Sequence, residues 1–137
     1  MKQIKYRKLR KYKYQVWEDY IVQTPIKGYR HVSDFWCIFK NGKVLAKKGY
    51  CYDGPSGPTI DTHTFMRGAL IHDIFYQAFR ERIVPLSERD TADRLLQTMC
   101  IEDGMNKIRA WWVYHGVKYG GKPAAKPNGK QKIYTAP

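Results

Sequence analysis

Through the first third of the chain, hydrophobic residues come in short runs bounded by polar and turn residues. Further on they recur at three- and four-residue spacings, so the pattern passes from strand-like to helix-like. Tyr20-Ile21-Val22, Phe35-Trp36-Cys37-Ile38-Phe39 and Val44-Leu45-Ala46 are rich in aromatic and β-branched residues. Lys40-Asn41-Gly42-Lys43 supplies the turn that folds the last two runs into a hairpin, and Pro25 and Gly28 separate the first from it. In the helical part, Phe65, Ala69, Ile71, Phe75 and Phe79 predict a helix from about Thr64 to Arg80, with Asp61, Thr62 and Thr64 as capping residues at its start. Pro85-Leu86-Ser87 opens a second helix, with Ser87 as cap and Asp90 in the capping-box position. Ala92, Leu95, Leu96, Met99 and Cys100 form its buried face, and Glu102-Asp103-Gly104 ends it. A third helix begins near Asn106 and carries Ile108, Trp111, Trp112, Tyr114 and Val117 before Gly120-Gly121. Aromatics on both its sides mean deep burial or an adhesive surface, and we read them as core packing, with His115 on a polar face. The fold class this predicts is α+β: a small antiparallel sheet followed by three packed helices.

Charge changes the picture at the ends. The chain of 137 residues carries a formal net charge of +13. Met1 to Tyr14 holds seven Lys or Arg and no acid, and Lys118 to Pro137 holds five Lys and no acid, so twelve of the thirteen excess charges lie at the termini. This predicts a basic arm over 1–14, one domain over 15–120, and a flexible basic tail over 121–137 in which Gly, Pro, Ala and Lys dominate. Such ends, interleaved with tyrosines, suit an anionic phospholipid surface or nucleic acid, or serve solubility alone. No zinc-finger spacing, phosphate loop or base-stacking motif accompanies them. No apolar run reaches the length of a signal peptide core or a membrane span, so we expect a cytoplasmic protein of a bacterial host, at most peripheral to the membrane. Cys37, Cys51 and Cys100 are odd in number and irregularly spaced, which predicts reduced core thiols and neither a disulfide framework nor structural zinc.

The candidate chemistry lies where the two textures meet. Two Gly and two Pro within Gly54 to Pro58 predict a compact loop whose backbone carbonyls must face water, side chains or a cation. On the helix that follows, His72 and Tyr76 are four residues apart and share a face, while Asp73 is turned by about 100° onto the next. A general base and a carboxylate ligand can therefore sit side by side. A His-Asp pair on an amphipathic helix is also compatible with a purely structural role.

Tyr52, the glycine-rich loop, His72-Asp73 and Tyr76 together resemble the site of secreted phospholipase A2 enzymes. Those enzymes join a calcium loop beginning at a tyrosine to a helix bearing His-Asp, with a tyrosine four residues after the histidine. Tyr52 stands twenty residues before His72, the family's spacing. The resemblance implies a phospholipase A2-like helical core and a calcium ion held by Asp73 and by the carbonyls of Tyr52, Gly54 and Ser56. It also implies that His72 is the base, Tyr76 a support, and a second-helix aspartate the group that steadies the histidine: Asp93, or Asp90 if its capping position leaves it free. The sequence departs from that family at Gly68-Ala69, where paired cysteines would stand, at Asp53, and at Ser56, which replaces a loop glycine.

A second resemblance spans nearly the whole chain. Tyr52 to Thr59, Arg67, Leu70 to Asp73, Tyr76-Gln77, Ala92-Asp93, Arg109-Ala110, Tyr114 and Gly116 look like the phage and prophage family called domain of unknown function 1353. It implies a source and no activity. The reading that follows is a phage-encoded, calcium-dependent acyl-ester hydrolase acting on phospholipid. The alternative is a non-enzymatic accessory or host-interaction protein that binds an anionic partner and uses His72 and Asp73 as a helix junction, with Asp73 held by Arg67 or the loop amides. A metal phosphohydrolase ranks lower, because it needs further histidines and only His31, His63 and His115 remain.

Overall fold

The structure, a computed structural model, describes residues 3–8, 14–52, 63–126 and 135–137. Its first half forms two antiparallel sheets where the sequence predicts one. The first orders β1 (Tyr6–Lys8), β2 (Tyr14–Val16) and β7 (Cys51–Tyr52). The second orders β3 (Tyr20–Gln23), β6 (Lys43–Ala46), β5 (Trp36–Ile38) and β4 (His31–Val32). The Asn41-Gly42 turn joins β5 to β6 as expected, with Asn41 Oδ1 accepting from the Lys43 amide. Along β6 the strand period puts Val44 and Ala46 in the core and Lys43 outside, whereas β5 is buried at all three positions. His31, expected in a loop, opens β4 and stacks on Trp36, with ring centroids 4.4 Å apart.

The helices are α1 (His63–Arg80), α2 (Arg89–Glu102), α3 (Lys107–Gly120) and the four-residue α4 (Lys122–Ala125). Asn106 caps α3, its side chain accepting from the Ile108 and Arg109 amides. Ser87 does not cap α2. The chain enters α2 through a 3-10 turn at Leu86–Glu88, so Glu88 is already near-helical and leaves no extended position from which a side chain could fold back. Two elements fall in the stretches that charge assigns to arm and tail: β1, paired with β2, and α4, whose Ala125 is buried.

Leu70, Ile71, Ile74, Phe75 and Phe79 of α1 join the inner sides of both sheets in one core. A second cluster lies between the first three helices and contains Phe65, Ala69, Leu96, Cys100, Ala110 and Val113. Gly68 decides how closely α1 and α2 approach: a Cβ there would lie 2.9 Å from Leu96 Cδ1 and 3.3 Å from the Leu96 carbonyl oxygen. A cysteine at this position, as in the secreted phospholipases, would need the Leu96 side chain to turn aside and the Leu96 backbone to give by a few tenths of an ångström. Cys37 and Cys100 are buried thiols, and burial pushes the Cys100 thiol up to about 12; Cys51, in contrast to the core role expected, is exposed.

The outer side of α3 also differs from expectation. Ala110, Val113 and Tyr114 satisfy the core, while Ile108, Trp111, Trp112 and Tyr119 stand exposed. One face suffices for packing, and among the described residues nothing covers the remaining aromatics.

Candidate active site

The α-helical period places His72 and Tyr76 one turn apart on α1, with ring centroids 4.1 Å apart, and the close α1–α2 packing brings Asp93 against both. Asp93 Oδ1 lies 2.7 Å from His72 Nε2 and accepts a hydrogen bond of 2.7 Å from the Tyr76 hydroxyl. Asp93 is 1% exposed and His72 8%. A carboxylate this deep holds only with donors around it, and Oδ2 has no hydrogen-bond partner among the described residues. The nearest compensation for Oδ2 is Arg89 Nε at 4.0 Å.

Arg89 is the site residue that the sequence reading misses. Its Nε donates to the Tyr76 hydroxyl at 3.1 Å, and its Nη2 donates to the carbonyls of Val117 and Lys118 at 2.8 and 2.6 Å. It therefore neutralises the buried carboxylate from one side and satisfies the last turn of α3 from the other, where a cation also meets the negative end of the helix dipole. Its position four residues before Asp93 on one helix is a legible signal; its partners on α3 are not. Burial, reinforced by the bond to Asp93, raises the Tyr76 phenol far above its ordinary value even though Arg89 opposes this, so the phenol remains a donor.

His72 and Tyr76 form one wall of a cavity of about 480 Å³ bordered also by Tyr52, Asp73, Gln77, Arg80 and Gly121, with Asp93 and Arg89 behind that wall. Tyr50 closes the sheet side and donates from its hydroxyl to Gln77 Oε1 at 3.0 Å. Gly121 is required by close approach: a Cβ on it would lie 2.8 Å from the Tyr76 hydroxyl oxygen and 2.6 Å from the Val117 carbonyl oxygen. Asp73 is half-buried on the neighbouring helical face. Burial first, then Tyr6 and Asp73, raise the Tyr52 phenol well above its usual range, so Asp73 and Tyr52 share one electrostatic neighbourhood.

The residues expected at the site are thus distributed unevenly. His72, Tyr76 and Asp93 converge, and Asp73 and Tyr52 border the same cavity, while Gly54 and Ser56 lie outside the described residues. Asp90, the other candidate partner of His72, is at the surface, bound to Tyr114 and to Arg94. Arg67 does not hold Asp73; it is buried against Tyr20, Glu102 and Asp103. His31, His63 and His115 are not among the residues around this cavity, and no three His, Cys, Asp or Glu side chains converge to hold a metal among the described residues. Asp73 offers this cavity a carboxylate, a ligand type that suits a hard cation such as calcium, while the loop carbonyls of Gly54 and Ser56 lie outside the described residues.

Residues 29–117 match the family described as protein of unknown function DUF1353, more than half of the chain. The chain belongs to the DUF1353 family. The matched span contains His72, Tyr76, Arg89 and Asp93, and stops short of Gly121. No curated protein and no solved structure matches. Among the described residues no helix is long and apolar enough to cross a membrane.

Proposed function

We propose that this DUF1353 protein is a hydrolase of phospholipid acyl esters that works in the manner of phospholipase A2, with His72 as general base. The observation that carries the proposal is the buried Asp93, held 2.7 Å from His72 Nε2 at the wall of a cavity large enough for an ester and its flanking groups. With the hydrogen on Nε2 and donated to Asp93, Nδ1 is left as the basic atom of the ring. Nδ1 takes a proton from water as the water oxygen bonds to the acyl carbon, and the imidazolium then returns it to the departing alkoxide. Asp93 fixes the tautomer and balances the imidazolium charge; Tyr76 fixes Asp93. Asp73 and the carbonyls of Tyr52, Gly54 and Ser56 are the groups that would hold calcium. When bound, calcium would supply positive charge to the acyl oxygen as it becomes anionic. The place of action that fits the charge is the anionic face of a bacterial membrane, reached from the cytoplasm.

The test is release of fatty acid from phosphatidylglycerol vesicles by the purified protein, with calcium and with a chelator. Hydrolysis that requires calcium and is lost in His72→Gln is the expected result. A folded wild-type protein that releases no fatty acid under either condition would overturn the proposal and leave the network as a junction of three helices in a non-enzymatic protein.

A further inference from the structure

We propose that the outer face of α3 is a membrane-contact surface that seats in the headgroup region of an anionic lipid bilayer. Ile108, Trp111, Trp112, His115 and Tyr119 follow one another at helical spacing and form a single stripe along α3. Ile108 is 70% exposed, Trp112 66%, Trp111 47% and Tyr119 73%. Single exposed apolar residues are ordinary, but a contiguous aromatic stripe along one helix marks a surface that meets something.

The arrangement of the rings selects the partner. Trp111 and His115 lie 4.0 Å apart by centroid, His115 and Tyr119 are stacked at 5.8 Å, and Trp112 meets Trp111 edge-on at 5.0 Å. Only His115 and Tyr119 are stacked, while Trp111 is tilted against His115 and edge-on to Trp112, so the rings pack on one another at mixed angles and form no row of parallel platforms for successive nucleobases. Ring edges and the aliphatic Ile108 side chain instead match the boundary between headgroups and acyl chains, where Trp and Tyr reside.

Charge selects the kind of bilayer. From residue 107 to residue 126 the chain carries Lys107, Arg109, Lys118, Lys122 and Lys126 and no acid. Lys118 Nζ lies 5.6 Å from the Tyr119 ring centroid, so the cation accompanies the aromatic edge and can reach lipid phosphate while its stem lies along the ring. Gly116 and Gly120, rotated from the stripe by roughly 80–120° on the same helix, line the His72 cavity, so the stripe and the cavity lie on neighbouring sides of α3. Binding does not depend on turnover at His72, and its measurement stands apart from hydrolysis.

The experiment uses the full chain carrying Trp17→Phe, which removes the other exposed tryptophan while Trp36 stays in the core. Vesicles are of phosphatidylglycerol and phosphatidylcholine in equal parts, with brominated acyl chains as quencher. The expected result is a blue shift and quenching of tryptophan emission on these vesicles and much weaker quenching on phosphatidylcholine alone. Measured by vesicle co-sedimentation, Trp111→Ser with Trp112→Ser should lower the partition coefficient by at least about tenfold, and Ile108→Asp, at a position exposed enough to leave the fold intact, should weaken it in the same direction. Any of three results would overturn the proposal: partition unchanged in both variants, which assigns binding to the basic termini; a dimer in sedimentation that the Trp variants dissolve; or quenching by a single-stranded oligonucleotide in place of vesicles.

Discussion

A carboxylate only 1% exposed persists where donors surround it, and the three groups that reach Asp93 act on it differently. The Tyr76 hydroxyl orients it, Arg89 offsets its charge, and His72 Nε2 is the partner whose ring carries the proposed base at its other nitrogen. Single substitutions should therefore fail in different ways. Asp93→Asn keeps the shape but no longer favours the tautomer with hydrogen on Nε2, so kcat should fall by on the order of 10²–10⁴-fold with KM little changed. Tyr76→Phe removes only one donor and should fall by about tenfold or less. Steady-state kinetics on a soluble short-chain phospholipid separates the two; equal losses would mean that Asp93 acts only through packing. Helical periodicity alone puts His72 and Tyr76 on one face, whereas Asp93, on the next helix, is reached in the sequence only through the resemblance to secreted phospholipases, which leaves Asp90 as the other candidate. The sequence alone misses Arg89, whose spacing of four from Asp93 is legible but whose bonds to the carbonyls of α3 are not.

At the scale of elements, the approach of α1 to α2 and of the α3–α4 corner to α1 sets the site. Gly121→Ala places a methyl group 2.8 Å from the Tyr76 hydroxyl oxygen, so Tyr76 must move off Asp93 or the corner must shift. The expected cost is about 1–3 kcal/mol in unfolding free energy with a loss of activity as large as that of Tyr76→Phe. An alanine variant with unchanged melting and rate would show that the corner yields freely. The α2–α3 contact is partly polar. The Tyr114 hydroxyl, then Arg94, hold the Asp90 carboxyl below its usual range. A depressed carboxylate stabilises fully above its unfolded value, near pH 4, and that stability is lost as pH falls through the lower folded value. Solvent screens this exposed pair, so it contributes at most about 1 kcal/mol. Tyr114→Phe should accordingly lower stability slightly at neutral pH and leave it unchanged at the acid end, which flattens the acid limb of a stability–pH curve; a loss of equal size at every pH would contradict the assignment. Strand runs, the Asn41-Gly42 turn and the three long helices are legible in the pattern because each has one strong period. The division into two sheets is not, since pairing partners such as β2 and β7 lie far apart in sequence. Nor is the exposed side of α3, because an all-round apolar helix reads alike whether both faces are buried or one waits for a partner.

For the whole molecule, two clusters of aromatic and aliphatic side chains do the work that disulfides do in secreted phospholipases. Cys37, Cys51 and Cys100 are free thiols, so melting temperature should not change with dithiothreitol; a drop of several degrees would reveal a crosslink. Gly68, packed against Leu96, lets α1 and α2 approach closely at the point where the secreted phospholipases carry a cysteine. The measurement that tests the central claim most directly is the rate of fatty-acid release from phosphatidylglycerol by wild type and His72→Gln at matched folding, in calcium. The account predicts turnover in wild type and a loss on the order of 10³-fold or more in the variant, with circular dichroism and calcium affinity unchanged. Equal rates in the two proteins, or no rate in a folded wild type, would contradict it.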